Sequence, residues 1–395
     1  MSLNTTPSSE RVHIGIFGKR NAGKSSLINA ITGQDIAVVS DTLGTTTDPV
    51  IKAMEILPLG PVVIIDTPGL DDAGELGEKR VQKAYDVLRK CDIGILVVDA
   101  NDELGAIEKA LIETFEKEGK QYVICVNKID EIVGDTKIPE GEKIIKVSAK
   151  TKEGIHELKE TLANLLPDKN ERHLISDLLT VGDVCVLVVP IDESAPKGRL
   201  ILPQQQTIRD ILEAGAIPVV TKETELEITL SKLSEKPKIV ITDSQAFSMV
   251  AKIVPEDVYL TSFSILMARY KGDLEWQKNG VKTLDEIKDK DKILISEGCT
   301  HHRQCKDIGT VKLPTWIRKH CSSEPEFEFT SGGEFPKDLS SYKLIIHCGG
   351  CTINENEMRY RIDLANKFNI PITNYGMAIS YMNGILDRSL KFLDM

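Results

Sequence analysis

The stretch Gly18-Lys19-Arg20-Asn21-Ala22-Gly23-Lys24-Ser25 decides the fold of the chain's first part. It follows a short apolar run, 12–17, and opens a segment with helical spacing, 24–31. A glycine-rich turn between a strand and a helix aims backbone N–H groups at an anion, at the positive end of the helix dipole. Gly18 and Gly23 let the backbone wrap a β-phosphate, with Ala22 and Ser26 beside it. Lys24 is placed to bridge the β- and γ-phosphates, and Ser25 to ligate Mg²⁺. A lone motif of this kind has false positives, so it needs support from motifs elsewhere in the chain.

Further along, 62–65, 93–98, 122–126 and 144–147 are continuous apolar runs, as strands buried on both faces require. Helical patterns lie between them, for example 104–118, and 155–166 ends at Pro167. The alternation predicts a doubly wound α/β sheet. Polar motifs stand at the ends of its strands. Asp66-Thr67-Pro68-Gly69 places Asp66 to hold Mg²⁺ through water and the Gly69 N–H to sense a γ-phosphate. Asn127-Lys128-Ile129-Asp130 offers a carboxylate to the N1–H and 2-amino group of guanine. Adenine has neither donor, so Asp130 selects GTP. Ser148, Ala149 and Lys150 follow the next strand and support the base. Gly44-Thr45-Thr46-Thr47-Asp48 lies where a first switch belongs, with Thr45 or Thr46 reaching Mg²⁺ and the γ-phosphate. This part of the chain therefore reads as a GTP/GDP site with Mg²⁺. Lys24, Thr46, Asp66 and Gly69 are its candidates for hydrolysis.

Bulk properties limit the alternatives. At 395 residues the chain predicts two or three domains. The net charge is -11 and no Lys/Arg block stands out, which argues against nucleic acid as a partner. No apolar run is long enough to span a membrane. The polar N-terminus lacks the apolar core of a signal peptide, so a cytoplasmic protein is expected. Of eight cysteines, Cys91, Cys125 and Cys185 sit in or beside apolar runs and read as packing thiols. The other five, Cys299, Cys305, Cys321, Cys348 and Cys351, cluster late in the chain.

Two smaller α/β units follow the first. The expected division is 1–170, 174–265 and 266–395. The runs 184–189, 217–220 and 239–242 read as strands of the second unit, 206–213 as a helix and 198–203 as an exposed strand and turn. The third carries apolar runs at 293–295, 327–329 and 344–346, with helical patterns at 314–320 and 355–368.

Cys299-Thr300-His301 and His347-Cys348-Gly349-Gly350-Cys351 each follow a strand of the third unit. Strands of an open parallel sheet present their C-terminal ends to one crevice, so ligands distant in sequence can converge. Thiolates are soft ligands that suit an iron–sulfur cluster or zinc. The residue types leave three readings open: a cluster on the thiols, a structural zinc on Cys299, Cys348, Cys351 and either His301 or His347, or buried or redox cysteines. His302 and Asp307 stand nearby, and Cys305 and Cys321 fall outside the pattern.

The GTPase motifs resemble the Era/TrmE group of bacterial GTPases, with a Ras-like fold. Leu70 stands where Ras-like enzymes carry a water-orienting Gln. The resemblance implies a slow, K⁺-stimulated hydrolysis, with Asn21 as the K⁺ ligand. Glu75 or Glu78 would position the water. Cys-x-His and then His-Cys-x-x-Cys behind such a domain resembles the HydF family of FeFe-hydrogenase maturation GTPases, along the whole chain. That resemblance implies a 4Fe–4S cluster on Cys299, Cys348 and Cys351, with His301 and His347 as further candidate ligands. It also implies a homodimer formed through 174–265. The partners it implies are two radical-SAM maturases and the apo-hydrogenase, to which a di-iron precursor is passed. The competing expectation is a ribosome- or RNA-associated GTPase with a structural zinc.

Overall fold

The computed structural model describes residues 6–33, 49–70, 75–132, 138, 141–166, 172–191, 200–298 and 308–393, with the side chains of 75–79 left aside. The chain forms two compact units, Met1–Asn170 and Glu171–Met395.

The first unit is built on β1 (Val12–Phe17), β2 (Val50–Ile56), β3 (Gly60–Asp66), β4 (Ile93–Asp99), β5 (Gln121–Asn127) and β6 (Ile144–Lys146). They form one sheet in the order β2-β3-β1-β4-β5-β6. All pairs are parallel except β2 with β3. Apolar clusters cover both faces. Ile14, Ile16, Ile95 and Val97 pack toward the helices Lys24–Thr32 and Ile155–Asn164. Phe17, Leu96 and Val98 pack toward Glu75–Lys90 and Ala106–Lys117. This is the expected Ras-like P-loop arrangement, with a sheet buried on two sides.

Two elements of this unit have no clear counterpart in the sequence pattern. β2 is an edge strand whose residues 51–55 alternate between exposed and half-buried, so its apolar signal is weak. The helix Glu75–Lys90 is strongly polar, and only its inner stripe carries apolar residues such as Ala84, Val87 and Leu88.

The second unit holds two four-stranded parallel sheets. One is β7 (Val184–Val188), β8 (Ile217–Thr221), β9 (Ile239–Thr242) and β10 (Tyr259–Ser262), in the order β10-β9-β7-β8. The other is β11 (Lys292–Glu297), β12 (Glu326–Ser331), β13 (Leu344–His347) and β14 (Ile372–Asn374), in the order β12-β11-β13-β14. Val186, Val240 and Leu260 of the first share an apolar cluster with Ile293, Ile295, Leu344 and Ile346 of the second. The helix Phe263–Lys271 lies between clusters and is buried nearly all round. Ile265 and Ala268 join one cluster, Leu266 and Met267 another.

The segment 198–203 differs from expectation. Residues 198–199 lie outside the described set, and Leu202 and Pro203 begin the helix Leu202–Glu213. Pro203 sits in the first turn, where its missing N–H costs nothing. The Gln204 side chain accepts from the Ile201 N–H at 3.0 Å, closing the turn.

Candidate functional site

The nucleotide cleft is assembled from strand ends. At Gly18 the chain leaves β1 with φ +143°, and a Cβ there would stand 2.3 Å from the Val97 carbonyl oxygen of β4. Only glycine fits so close an approach. Gly23, at φ +90°, opens the helix Lys24–Thr32, and a Cβ on it would stand 2.2 Å from Asn127 Nδ2. The loop is thus pressed against β4 and the end of β5. Asn21 takes a left-handed conformation at φ 61°. Lys24 Nζ donates to the carbonyl oxygens of Gly18 at 2.9 Å and Lys19 at 2.8 Å, so its ammonium lies inside the curl of the loop.

Asp66 ends β3 and accepts from Ser25 Oγ at 3.3 Å through Oδ2. Its Oδ1 is buried and has no hydrogen-bond partner among the described residues. Burial raises the Asp66 pKa against the opposing charge of Lys24. A half-satisfied carboxylate beside a serine hydroxyl fits the donor set of a hard divalent cation. Gly69 approaches the phosphate loop so closely that a Cβ would meet the backbone N of Arg20 at 3.0 Å. Leu70 is 2% exposed and packs with Phe17 and Leu88, so it points into the core. Thr45 and Thr46 lie outside the described residues, as do the Glu75 and Glu78 side chains.

At the base end, Asn127 ties two loops together. Its Nδ2 donates to the Ala22 carbonyl at 3.0 Å and its Oδ1 accepts from the Ala149 N–H at 3.0 Å. Lys128, at φ 66°, pairs with Asp99 at 2.7 Å. Asp130 accepts from Ser148 Oγ at 2.6 Å and faces Lys150 Nζ at 3.7 Å. The Ser148 hydrogen bond leads in holding the Asp130 carboxyl below the usual range. Gly23, Ser26, Asn127, Asp130, Ala149 and Lys150 line one cleft of about 620 Å³, a size that suits a nucleotide. One further contact has no signature in the motifs. Lys19 of the loop pairs at 2.9 Å with Glu108, whose side chain is 2% exposed.

The second candidate site lies at the ends of β11 and β13. These strands are parallel neighbours with Ser296 opposite His347, so they finish side by side. Cys348 follows β13 directly. Its Sγ accepts from the Gly298 N–H at 3.0 Å and from the Gly350 N–H at 3.4 Å. Gly350 turns the loop at φ +61°. Thr352 Oγ1 donates back to the Gly298 carbonyl at 2.7 Å, so the end of β11 and the cysteine loop hold each other. Gly298 is the residue before Cys299. Cys299 and His301, with His302, Cys305 and Asp307, lie outside the described residues.

Burial raises both described thiols, Cys351 to about 11 with the neighbouring Cys348 adding to it. Among the described residues no group of three or more His, Cys, Asp or Glu side chains forms a metal site. The described part of this site supplies two thiols.

His347 is 2% exposed with both ring nitrogens engaged. Arg361 Nη1 stands 2.9 Å from Nε2, and the Cys348 carbonyl 2.8 Å from Nδ1. Arginine can only donate, so Nε2 accepts and Nδ1–H donates to the carbonyl. Burial, and then the charge of Arg361, lowers the His347 pKa to about 3. Arg361 is itself fully buried. It pairs with Glu357 at 2.9 Å and donates to Ser296 Oγ and to the Gly332 carbonyl.

Lys271, 3% exposed, ends the helix Phe263–Lys271. Its Nζ donates to the carbonyls of Gly350 at 3.4 Å, Cys351 at 3.2 Å and Ile353 at 3.0 Å. Taking an ammonium out of water costs several kcal/mol. Charge-assisted hydrogen bonds of about 1.5–3 kcal/mol each are of a size to offset that.

The remaining thiols are separate. Cys91, Cys125 and Cys185 are fully buried, and burial pushes all three up, Cys91 and Cys185 to about 12. Cys321 ends the helix Leu313–Cys321 and accepts from Ser323 Oγ at 3.0 Å.

Comparison with known proteins separates the two units. Residues 13–128 match the model of the 50S ribosome-binding GTPase family. Residues 174–272 match the hydrogen maturase F dimerization domain, and 275–392 the hydrogen maturase F tetramerization domain. Curated relatives include the tRNA modification GTPase MnmE of Chromobacterium violaceum, 34% identical over 161 residues, 40% of this chain and 35% of that protein. MnmE of Aquifex aeolicus is 33% identical over 155 residues, 39% of this chain and 34% of that protein. The chain thus spans about a third of the length of these relatives, and the match reflects the GTPase domain alone.

Among solved structures, Aquifex aeolicus Era bound to GDP and AlF4⁻ covers 53% of this chain and 93% of its own, at 20% identity and TM-score 0.36. The G domain of the Thermotoga maritima (T. maritima) FeoB iron transporter covers 40% of this chain and 99% of its own, at 28% identity and TM-score 0.31. No described helix is long and apolar enough to cross a membrane.

Proposed function

The chain belongs to the hydrogen maturase F family, and from that premise we propose that it is a GTP-hydrolysing scaffold for assembly of the FeFe-hydrogenase active site. The observation that carries this reading is the union in one chain of a guanine-nucleotide cleft with two maturase-type domains.

In the first unit, 1–170, the loop from Gly18 to Ser25 holds the phosphates and Lys24 bridges the β- and γ-phosphates. Ser25, Thr46 and Asp66 hold Mg²⁺, and Asp130 reads guanine. Leu70 is buried, so it positions no water. The resemblance to K⁺-dependent GTPases supports Asn21 as a K⁺ ligand. Exchanging K⁺ for Na⁺ should then slow turnover, and equal rates would remove that assignment.

Residues 174–265 serve dimerisation. The family model over 275–392 is named for tetramerisation, which points to assembly beyond a dimer. Residues 266–395 hold the cluster, on Cys299, Cys348 and Cys351. The described donors fit a thiolate-bound metal group: two neighbouring thiols, N–H groups aimed at one sulfur, and a buried setting. Held by three cysteines, a 4Fe–4S cluster would keep one iron open to an exchangeable ligand and so could accept an incoming iron complex. His347 has both nitrogens engaged with Arg361 and Cys348, so it serves the loop and not the metal. The maturases and the apo-hydrogenase are the proposed partners, with GTP turnover timing their exchange.

Anaerobic purification tests the reading. Wild-type protein should be brown with iron and sulfide bound, and Cys348→Ala should be colourless while still hydrolysing GTP. A colourless wild type with stoichiometric zinc would favour the RNA-associated alternative and sink the scaffold.

A further inference from the structure

Lys271 is far from the cysteine loop in sequence and belongs to no motif, yet three carbonyls of that loop converge on its ammonium. One belongs to Cys351 itself. The gap between the helix and the start of the loop, lined by Met267, Gly272, His347 and Cys348 among others, is about 10 Å³, at the lower limit for a single water. Lys271 is 3% exposed and its ammonium is held by three carbonyls, so it is a fixed charge in a dry setting, where electrostatic effects exceed those in water. A cluster bound by thiolates is anionic and becomes more so on reduction. A buried cation beside it favours the more reduced state.

We propose that Lys271 is a positioning residue for the metal group held by Cys348 and Cys351: its buried ammonium holds the loop through the carbonyls of residues 350, 351 and 353 and offsets the negative charge of the bound group. This role rests on the proposed binding of a cluster by the same loop. It adds a residue outside the thiols that sets how the cluster is held and at what potential it works.

The test uses the full chain, reconstituted anaerobically as wild type, Lys271→Arg, Lys271→Gln and Lys271→Met. Gel filtration and circular dichroism establish folding. Iron content, the EPR spectrum of the reduced cluster and its midpoint potential are the readouts. Lys271→Arg keeps the charge and should stay near wild type. Lys271→Gln keeps donors without charge, and should retain most of the iron with a more negative midpoint potential. Lys271→Met loses both, and should also lose iron severalfold.

If Lys271→Met does not fold, Lys271→Gln decides alone. A glutamine variant with wild-type potential and EPR signal would overturn the inference while leaving the cluster reading intact. A wild type that takes up no iron would overturn the cluster reading, and this inference with it.

Discussion

Both candidate sites sit at the C-terminal ends of parallel strands, but they are supported in opposite ways. In the nucleotide cleft the proposed recognition residues support one another. Asn127 binds Ala22 and Ala149, Ser148 binds Asp130, and Ser25 binds Asp66. Residues placed to touch the ligand are also the residues that hold the loops. At the cysteine loop the two tasks are divided. The thiols belong to the loop, but the groups that grip it come from other helices: Lys271 directly, and Arg361 through His347. A substitution at the first site should therefore change which ligand is bound. A support substitution at the second should change stability or the state of the proposed metal group while every thiol remains in place.

The largest expected effect breaks the first half of that contrast. If Asp130 reads guanine as proposed, Asp130→Asn replaces an acceptor of two hydrogen bonds with an amide that can accept only one. GTP affinity should fall by roughly 10³-fold. Xanthosine triphosphate, with a carbonyl in place of the 2-amino group, should gain because the amide N–H can donate to it. Fluorescent-nucleotide titration measures both. Unchanged GTP affinity would mean that the base is recognised elsewhere.

The next effect belongs to the second half. Arg361→Met removes the ion partner of the buried Glu357 carboxylate. Breaking a buried pair from one side costs about 3–5 kcal/mol. The two tryptophans, Trp276 and Trp316, both lie in the second unit, so urea unfolding followed by their fluorescence reports that unit alone. GTP affinity should not change. Adding Glu357→Leu should recover part of the loss, because the double variant leaves no lone charge. A single variant as stable as wild type would mean that the buried pair does not support the loop.

This division of labour also explains what could be read from the residues alone. The first sheet is legible in its continuous apolar runs. Its cleft is legible because motifs made of contiguous residues carry ligand contact and support together, from Gly18 to Ser25 and from Asn127 to Asp130. At the other site the paired thiols are legible as Cys-x-x-Cys, but their supports are not. Lys271 and Arg361 are ordinary charged residues on helical patterns, where the default is a solvated face. Only tertiary packing buries them, Lys271 against the carbonyls of residues 350, 351 and 353, and Arg361 against Ser296, Gly332 and His347 at the ends of β11, β12 and β13. β14 has three residues, too few to show a period, and β2 is an edge whose alternation is half-exposed. Glu108 likewise reads as a surface residue until Lys19 draws it against the phosphate loop.

The smallest expected effect separates the loop's own bonds from those of its outside supports. Thr352 Oγ1 donates to the Gly298 carbonyl at 2.7 Å, and the Gly298 N–H donates to Cys348 Sγ. Thr352→Val keeps the shape of the side chain and removes that one donor. A single net hydrogen bond is worth about 0.5–1.5 kcal/mol, so the tryptophan-monitored unfolding should shift by about 1 kcal/mol, with Thr352→Ser close to wild type. The effect should stay well below that of Arg361→Met, because a lost neutral bond leaves only an uncharged carbonyl, whereas losing Arg361 removes the ion partner of a buried carboxylate. If Thr352→Val costs as much as Arg361→Met, the loop supports itself as the nucleotide cleft does, and the contrast between the two sites fails.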